Sequence, residues 1–116
     1  MKAGIATRRA LRQGAGMSKR ELVAKHRDAI LALAAKHGAT DVRIFGSVAR
    51  GDDDETSDVD FLATFSGAQG WDVFAQQYDF QEELSRLLAC KTHVLREHRH
   101  MRPRVRANIE RDLVPL

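Results

Sequence analysis

Two aspartates one residue apart, Asp58 and Asp60, open an apolar run that continues through Phe61, Leu62, Ala63 and Phe65. On an extended strand alternate side chains share a face, so both carboxylates point one way and Val59, Phe61 and Ala63 the other, into a core. Like charges clustered at the margin of a core are costly unless a cation compensates them. Mg2+, which prefers hard oxygen ligands, is the natural one. Upstream, the apolar run Ile44-Phe45 ends in Gly46-Ser47, just before a short helix. There a glycine lets the backbone approach a ligand, and a helix N-terminus offers free N–H groups to phosphate oxygens. A phosphate grip and a metal-binding carboxylate pair inside Ile44 to Phe65 point to a nucleoside triphosphate. The competing reading is an acidic surface loop, Asp52-Asp53-Asp54-Glu55, beside an ordinary strand. It accounts for the four acids but not for Asp58 and Asp60 entering an apolar strand.

Gly46-Ser47, ten residues, then Asp58-x-Asp60 resembles the nucleotidyltransferases of the DNA polymerase beta-like superfamily. The wording GSVARG followed by SDVDFL is similar to their smallest members, the minimal nucleotidyltransferase (MNT) domains. The resemblance spans residues 18–116, with 44–65 its specific part. It implies transfer of AMP, or another nucleotide, from a Mg2+-bound NTP such as ATP to a hydroxyl. It also implies a role as the antitoxin of a pair, the acceptor being a HEPN-domain RNase toxin. Gly46 and Ser47 are then the triphosphate grip, and Asp58 and Asp60 the metal ligands. Arg50 lies near the phosphates in this family, although a plain ion pair with the acidic loop suits it equally.

Such enzymes commonly use a third carboxylate from a neighbouring strand, which holds the catalytic metal and helps deprotonate the acceptor. The corresponding stretch here is Lys91-Thr92-His93-Val94-Leu95, so His93 stands at the acid's position. Imidazole is a competent base near neutral pH but a poor Mg2+ ligand. Three readings stay open. His93 acts as base beside one tightly held metal; another acid such as Glu97 substitutes; or the site binds nucleotide and catalyses little. In the last case the protein masks a toxin by direct contact. A small RNA-modifying transferase is a further alternative.

These residues need strands and helices to hold them. Ser18 with Glu21 reads as a capping box. Leu22, Val23, Ala29, Ile30, Leu33 and Ala34 then recur at helical spacing up to Gly38, leaving Lys25, Arg27 and Lys36 wet. Strands are expected at 41–45, 58–65 and 92–95, with a short helix at 47–50, a polar, mobile loop at 51–57 and a turn at 66–70. Residues 71–89 form a long amphipathic helix whose core candidates are Val73, Phe74, Tyr78, Gln81, Leu84, Leu87 and Leu88, with Trp71 and Phe80 less well placed. Pro103 opens a last helix to Asp112, with Val105 and Ile109 inward, before the apolar tail Leu113-Val114-Pro115-Leu116. The fold class is α/β: a small mixed sheet of about three to four strands flanked by about four helices.

One domain fits 116 residues, with 18–116 as the folded unit and 1–17 as a basic arm. Met17 is an alternative start. No apolar stretch approaches a membrane span and no secretory pattern is present. A single cysteine, Cys90, suits a reducing cytoplasm. The net charge of +3 conceals a polarity: residues 1–27 carry eight Lys/Arg and one acid, 51–60 carry six acids and no base, and 91–111 carry seven Lys/Arg against Glu97 and Glu110. Such asymmetry suits an anionic partner or substrate, RNA included, or else solvated helix faces. The apolar ends suit a homodimer or heteromer.

Overall fold

The computed structural model describes residues 18–66, 71–98 and 101–116, and the side chain of Trp71 also lies outside what is described. The expected arm at 1–17 therefore falls outside it, as do residues 67–70 of the turn and His100. The elements in order are α1 (Lys19–Lys25), α2 (Arg27–Lys36), β1 (Ala39–Phe45), α3 (Gly46–Arg50), β2 (Val59–Phe65), α4 (Trp71–Leu88), β3 (Thr92–Arg96), α5 (Pro103–Asp112) and β4 (Val114–Pro115).

The first helix starts at the Ser18–Glu21 capping box, as its sequence predicts, but it is not one rod. It bends at His26, whose N–H bonds back to the Leu22 carbonyl at 3.1 Å while its own carbonyl accepts from Ile30 at 2.8 Å. The apolar spacing runs through the bend without a Gly or Pro, so Val23 and Ile30 both reach the core. The wet face is as expected, with Lys25, Arg27 and Lys36 all exposed.

The sheet is mixed, in the order β3-β2-β1-β4. β1 runs antiparallel to β2, and β2 runs parallel to β3. A parallel pair needs a long crossover, which α4 supplies. Val59, Phe61 and Ala63 are fully buried on one face of β2, and Leu62 is buried on the other. β2 is thus the covered centre of the sheet, and its polar residues sit at its ends. The fourth strand, allowed for but not placed by the sequence, is the apolar tail, which pairs with β1, Ile44 opposite Val114 and Arg43 opposite Pro115.

The buried stripe of α4 is Val73, Phe80, Leu84 and Leu88. Phe74 and Tyr78 are exposed, not core, and so is Val105 on α5. Residues 74 and 78 lie one position, or about 100°, round the helix from 73 and 77, so an aromatic stripe read one residue out points to water. Phe80 is instead a core centre, with its ring edge-on to Phe65 at 6.2 Å. Gln77 and Gln81, one turn apart, have a different task. The Gln77 amide donates to the Val94 carbonyl at 2.8 Å, and the Gln81 side-chain oxygen accepts from the Val94 N–H at 2.9 Å. Ser85 accepts the Thr92 N–H at 3.3 Å. Together they bond the outer edge of β3 as a further strand would. No described helix is long and apolar enough to cross a membrane.

Candidate functional site

The site is built on three adjacent strand positions. β1 ends at Phe45, which lies opposite Asp60 of β2, and Asp60 lies beside His93 of β3. Just after Phe45 the chain turns at Gly46, whose φ of +77° is one that residues with a Cβ rarely adopt. The turn brings the Gly46 backbone over the Asp60 carboxylate so closely that a Cβ there would sit 2.5 Å from Oδ2. On the other side, His93 Nδ1 stands 3.8 Å from Asp60 Oδ1. Asp60 is therefore the centre, with a backbone cradle to one side and an imidazole to the other.

Asp58 immediately precedes β2 instead of opening it, because the strand begins at Val59. Its charge still acts on Asp60. The Asp60 carboxyl is pushed above the ordinary aspartate range, first by burial and then by Asp58, while His93 and Arg50 pull it back. A half-buried carboxylate next to a second one calls for a cation. The pair suits Mg2+, which binds through one or two carboxylates and completes its shell with substrate phosphates and water. The donor set stops there: among the described residues no group of three or more His, Cys, Asp or Glu converges as a metal cage.

Glu97 stands apart from this pair. It follows β3 four residues after His93, about 13 Å along an extended strand. It is bound by Arg106, whose Nη2 donates to Oε2 at 2.6 Å, and Arg43 lies 3.7 Å from Oε1. Arg106 first, with Arg43 assisting, holds its carboxyl below the usual glutamate range. This cluster ties α5 to the end of β3, and the sequence spacing gives no sign of it.

Arg50 ends the short α3. Its Nε donates to Asp52 Oδ2 at 3.1 Å and its Nη1 to Asp112 Oδ2 at 2.7 Å. The Asp52 and Asp112 bonds raise its already high pKa. Asp112, at the end of α5 and with its side chain only 8% exposed, is a site neighbour that sequence reading passes over. An open cleft of about 370 Å³ runs past Gly46, Arg50, Leu95, Val105, Asn108 and Asp112. Ser47 is partly buried beside Gly46 at the start of α3. The acidic loop has its own ties: Asp54 Oδ1 accepts from the Thr56 N–H and hydroxyl at 2.9 and 2.8 Å. Lys19 donates to the carbonyls of Asp54 at 3.0 Å and of Ser57. Arg20 Nη1 donates to the Ala49 carbonyl at 2.8 Å. α1 thereby braces both the loop before Asp58 and the helix carrying Arg50. Cys90 is partly buried, and burial pushes its thiol pKa up, away from nucleophilic use.

Residues 25–115 match the family model described as the nucleotidyltransferase domain. The chain is 28% identical over 95 residues to a Methanocaldococcus jannaschii protein, MJ1379, named as a candidate protein adenylyltransferase; the match covers 82% of this chain and 91% of that one. A solved structure described as a minimal nucleotidyltransferase superposes with a TM-score of 0.70 at 36% identity, covering 84% of this chain and 95% of the other. A toxin–antitoxin crystal structure with AMP-PNP superposes with a TM-score of 0.61 at 13% identity, over 76% of this chain and 69% of its own; that likeness bears on the fold.

Proposed function

Because this chain belongs to the nucleotidyltransferase family, matched over residues 25–115, we propose that it transfers AMP, or another nucleotide, from a Mg2+-bound NTP to a protein hydroxyl. The observation that carries this reading is the Asp60 carboxylate held between the Gly46 backbone, where a Cβ would lie 2.5 Å away, and His93, its register neighbour at 3.8 Å. Gly46 and Ser47 approach the triphosphate through their backbone, and Arg50 offers a permanent positive charge once a phosphate replaces Asp52 or Asp112. Asp58 and Asp60 would hold Mg2+, which when bound neutralises phosphate charge and steadies the leaving oxygens. In this reading His93 takes the acceptor's proton as its oxygen bonds to the α-phosphorus. The bond from that phosphorus to the bridging oxygen breaks, and pyrophosphate leaves. Steadying of the imidazolium falls to Asp60, whose negative charge lies alongside.

The acceptor we propose is a HEPN-type RNase toxin, with this chain as its antitoxin. The wording GSVARG…SDVDFL supports this, as does the relative named for protein adenylylation. A second reading has a specific feature in its favour: His93 stands where the resemblance expects a third carboxylate, and on this reading the chain masks the toxin by direct contact. RNA modification remains the third reading.

The deciding experiment is the intact mass of the candidate toxin after incubation with this protein, Mg2+ and ATP. Asp60→Asn and His93→Asp run alongside. A nucleotide-sized gain that disappears with Asp60→Asn supports the transferase. A gain with His93→Asp alone supports the binding reading. No gain in any form, with a stable complex, sinks transfer to this acceptor.

A further inference from the structure

A second open cleft, of about 410 Å³, lies along the far part of β3 and the start of α5. Leu95 and Val105 line both this cleft and the one beside Gly46, so the two adjoin. The far end of this second cleft carries Arg96, His98 and Arg102 and, among the described lining residues, no carboxylate. Its floor is apolar, with Leu95, Met101 and the exposed Val105. Phe74 forms a wall, and the Arg96 guanidinium sits 5.8 Å from its ring centroid. His93 and Leu95 alternate on β3 and share one face, so Leu95 in the groove lies about 7 Å along the strand from His93.

The geometry points to a docking groove for an acidic segment of the acceptor protein, running from the hydroxyl at His93 to carboxylates held by Arg96 and Arg102. The inference rests on the transferase reading and adds to it the charge of the partner. Cationic side chains at one end favour an anionic occupant, and an apolar floor favours a peptide with aliphatic residues over a bare phosphate backbone. The face of Phe74 carries Arg96, not a vacant platform for a base. At the other end Asp112 lines the cleft and Asp52 pairs with Arg50, which disfavours a polyanion laid along the whole length.

Fluorescence anisotropy with three labelled peptides tests this: a tyrosine flanked by glutamates and leucines, its glutamine twin and its lysine twin. The wild-type protein should bind the glutamate peptide at least about tenfold more tightly than the glutamine twin. Arg96→Glu with Arg102→Glu should abolish that preference and turn it toward the lysine twin, with Mg-ATP binding unchanged. Equal binding of the glutamate and glutamine peptides overturns the proposal, as does a preference that survives both reversals. An RNA oligonucleotide that binds more tightly and displaces the peptide assigns the groove to RNA and overturns it. So does a concentration-dependent dimer dissolved by the reversals, which assigns it to a second copy. A glutamate preference without any transfer upholds the groove and counts against the transferase instead.

Discussion

Gly46→Ala separates the backbone demand of the site from its chemistry, provided that Gly51→Ala is made beside it. Both glycines have left-handed backbone, at φ +77° and +82°. Either alanine therefore costs roughly 1–2 kcal/mol of strain. At roughly 4–8 °C per kcal/mol for a small domain, melting temperatures should fall by comparable amounts in the two variants. The surroundings differ. A Cβ at Gly51 meets nothing within 4 Å, whereas at Gly46 it lies 2.5 Å from Asp60 Oδ2. Ordinary contact begins at 3.4 Å, so the carboxylate must retreat by about 0.9 Å. As the end of a side chain it can do so cheaply, and folding survives. Misplacement of a reacting group by about 1 Å costs on the order of 100-fold in rate. Transfer of nucleotide to the partner, followed by intact mass and corrected for folded fraction, should fall about that much in Gly46→Ala and stay within a few-fold of wild type in Gly51→Ala. Calorimetry of Mg-ATP binding gives a second readout that needs no acceptor. Equal activities for the two variants would refute the claim that Gly46 is glycine for the sake of Asp60.

Asp60→Asn should leave the melting temperature in EDTA equal or higher, since burial already disfavours the charge it removes; a drop of many degrees in scanning fluorimetry would contradict this. Glu83 is bonded to Lys36 at 2.8 Å and to His37, and these partners, Lys36 first, hold its carboxyl down to about 2. A depressed carboxyl stabilises the fold above its unfolded pKa and loses that contribution as pH falls toward its folded one. The gap in melting temperature between wild type and Glu83→Gln should therefore be open at pH 6 and shrink toward pH 3; a gap that widens on acidification reverses the assignment. Phe80→Ala, at the centre of the core, should cost about 3–5 kcal/mol in denaturant unfolding, and a loss below about 1 kcal/mol would mean the core is elsewhere.

The legible parts of the chain were those specified locally. The alternation of Val59, Phe61 and Ala63, the Ser18–Glu21 cap and the turn at Gly46 each depend on a few neighbouring residues, and the strands and helices they imply are present. So is the mixed sheet. The bend at His26 was hidden because the apolar period runs through it. β4 was hidden because two residues have no period, and only their pairing with β1 makes them a strand. Among the site residues, the neighbours Asp60 and His93 follow from register, which the spacing of the motif and the length of α4 jointly allow. Asp112 beside Arg50, and Arg106 on Glu97, join positions 62 and 9 residues apart through α5 packing, which no short-range pattern encodes. Gln81 reads as a core candidate in the sequence, whereas it and its fellow glutamine Gln77 are backbone partners of Val94.

Those glutamines and the short β4 have a joint consequence for how the protein meets others. A sheet normally grows at its edges, where unpaired N–H and C=O groups template another chain. Here one rim ends in Pro115, which has no N–H to offer. On the opposite rim Ser85, Gln81 and Gln77 occupy Thr92 and Val94. Where the rims are so occupied, partner strands gain little by annealing to this sheet. Recognition is left to grooves and side chains, where charge can be changed by single substitutions without disturbing strand register.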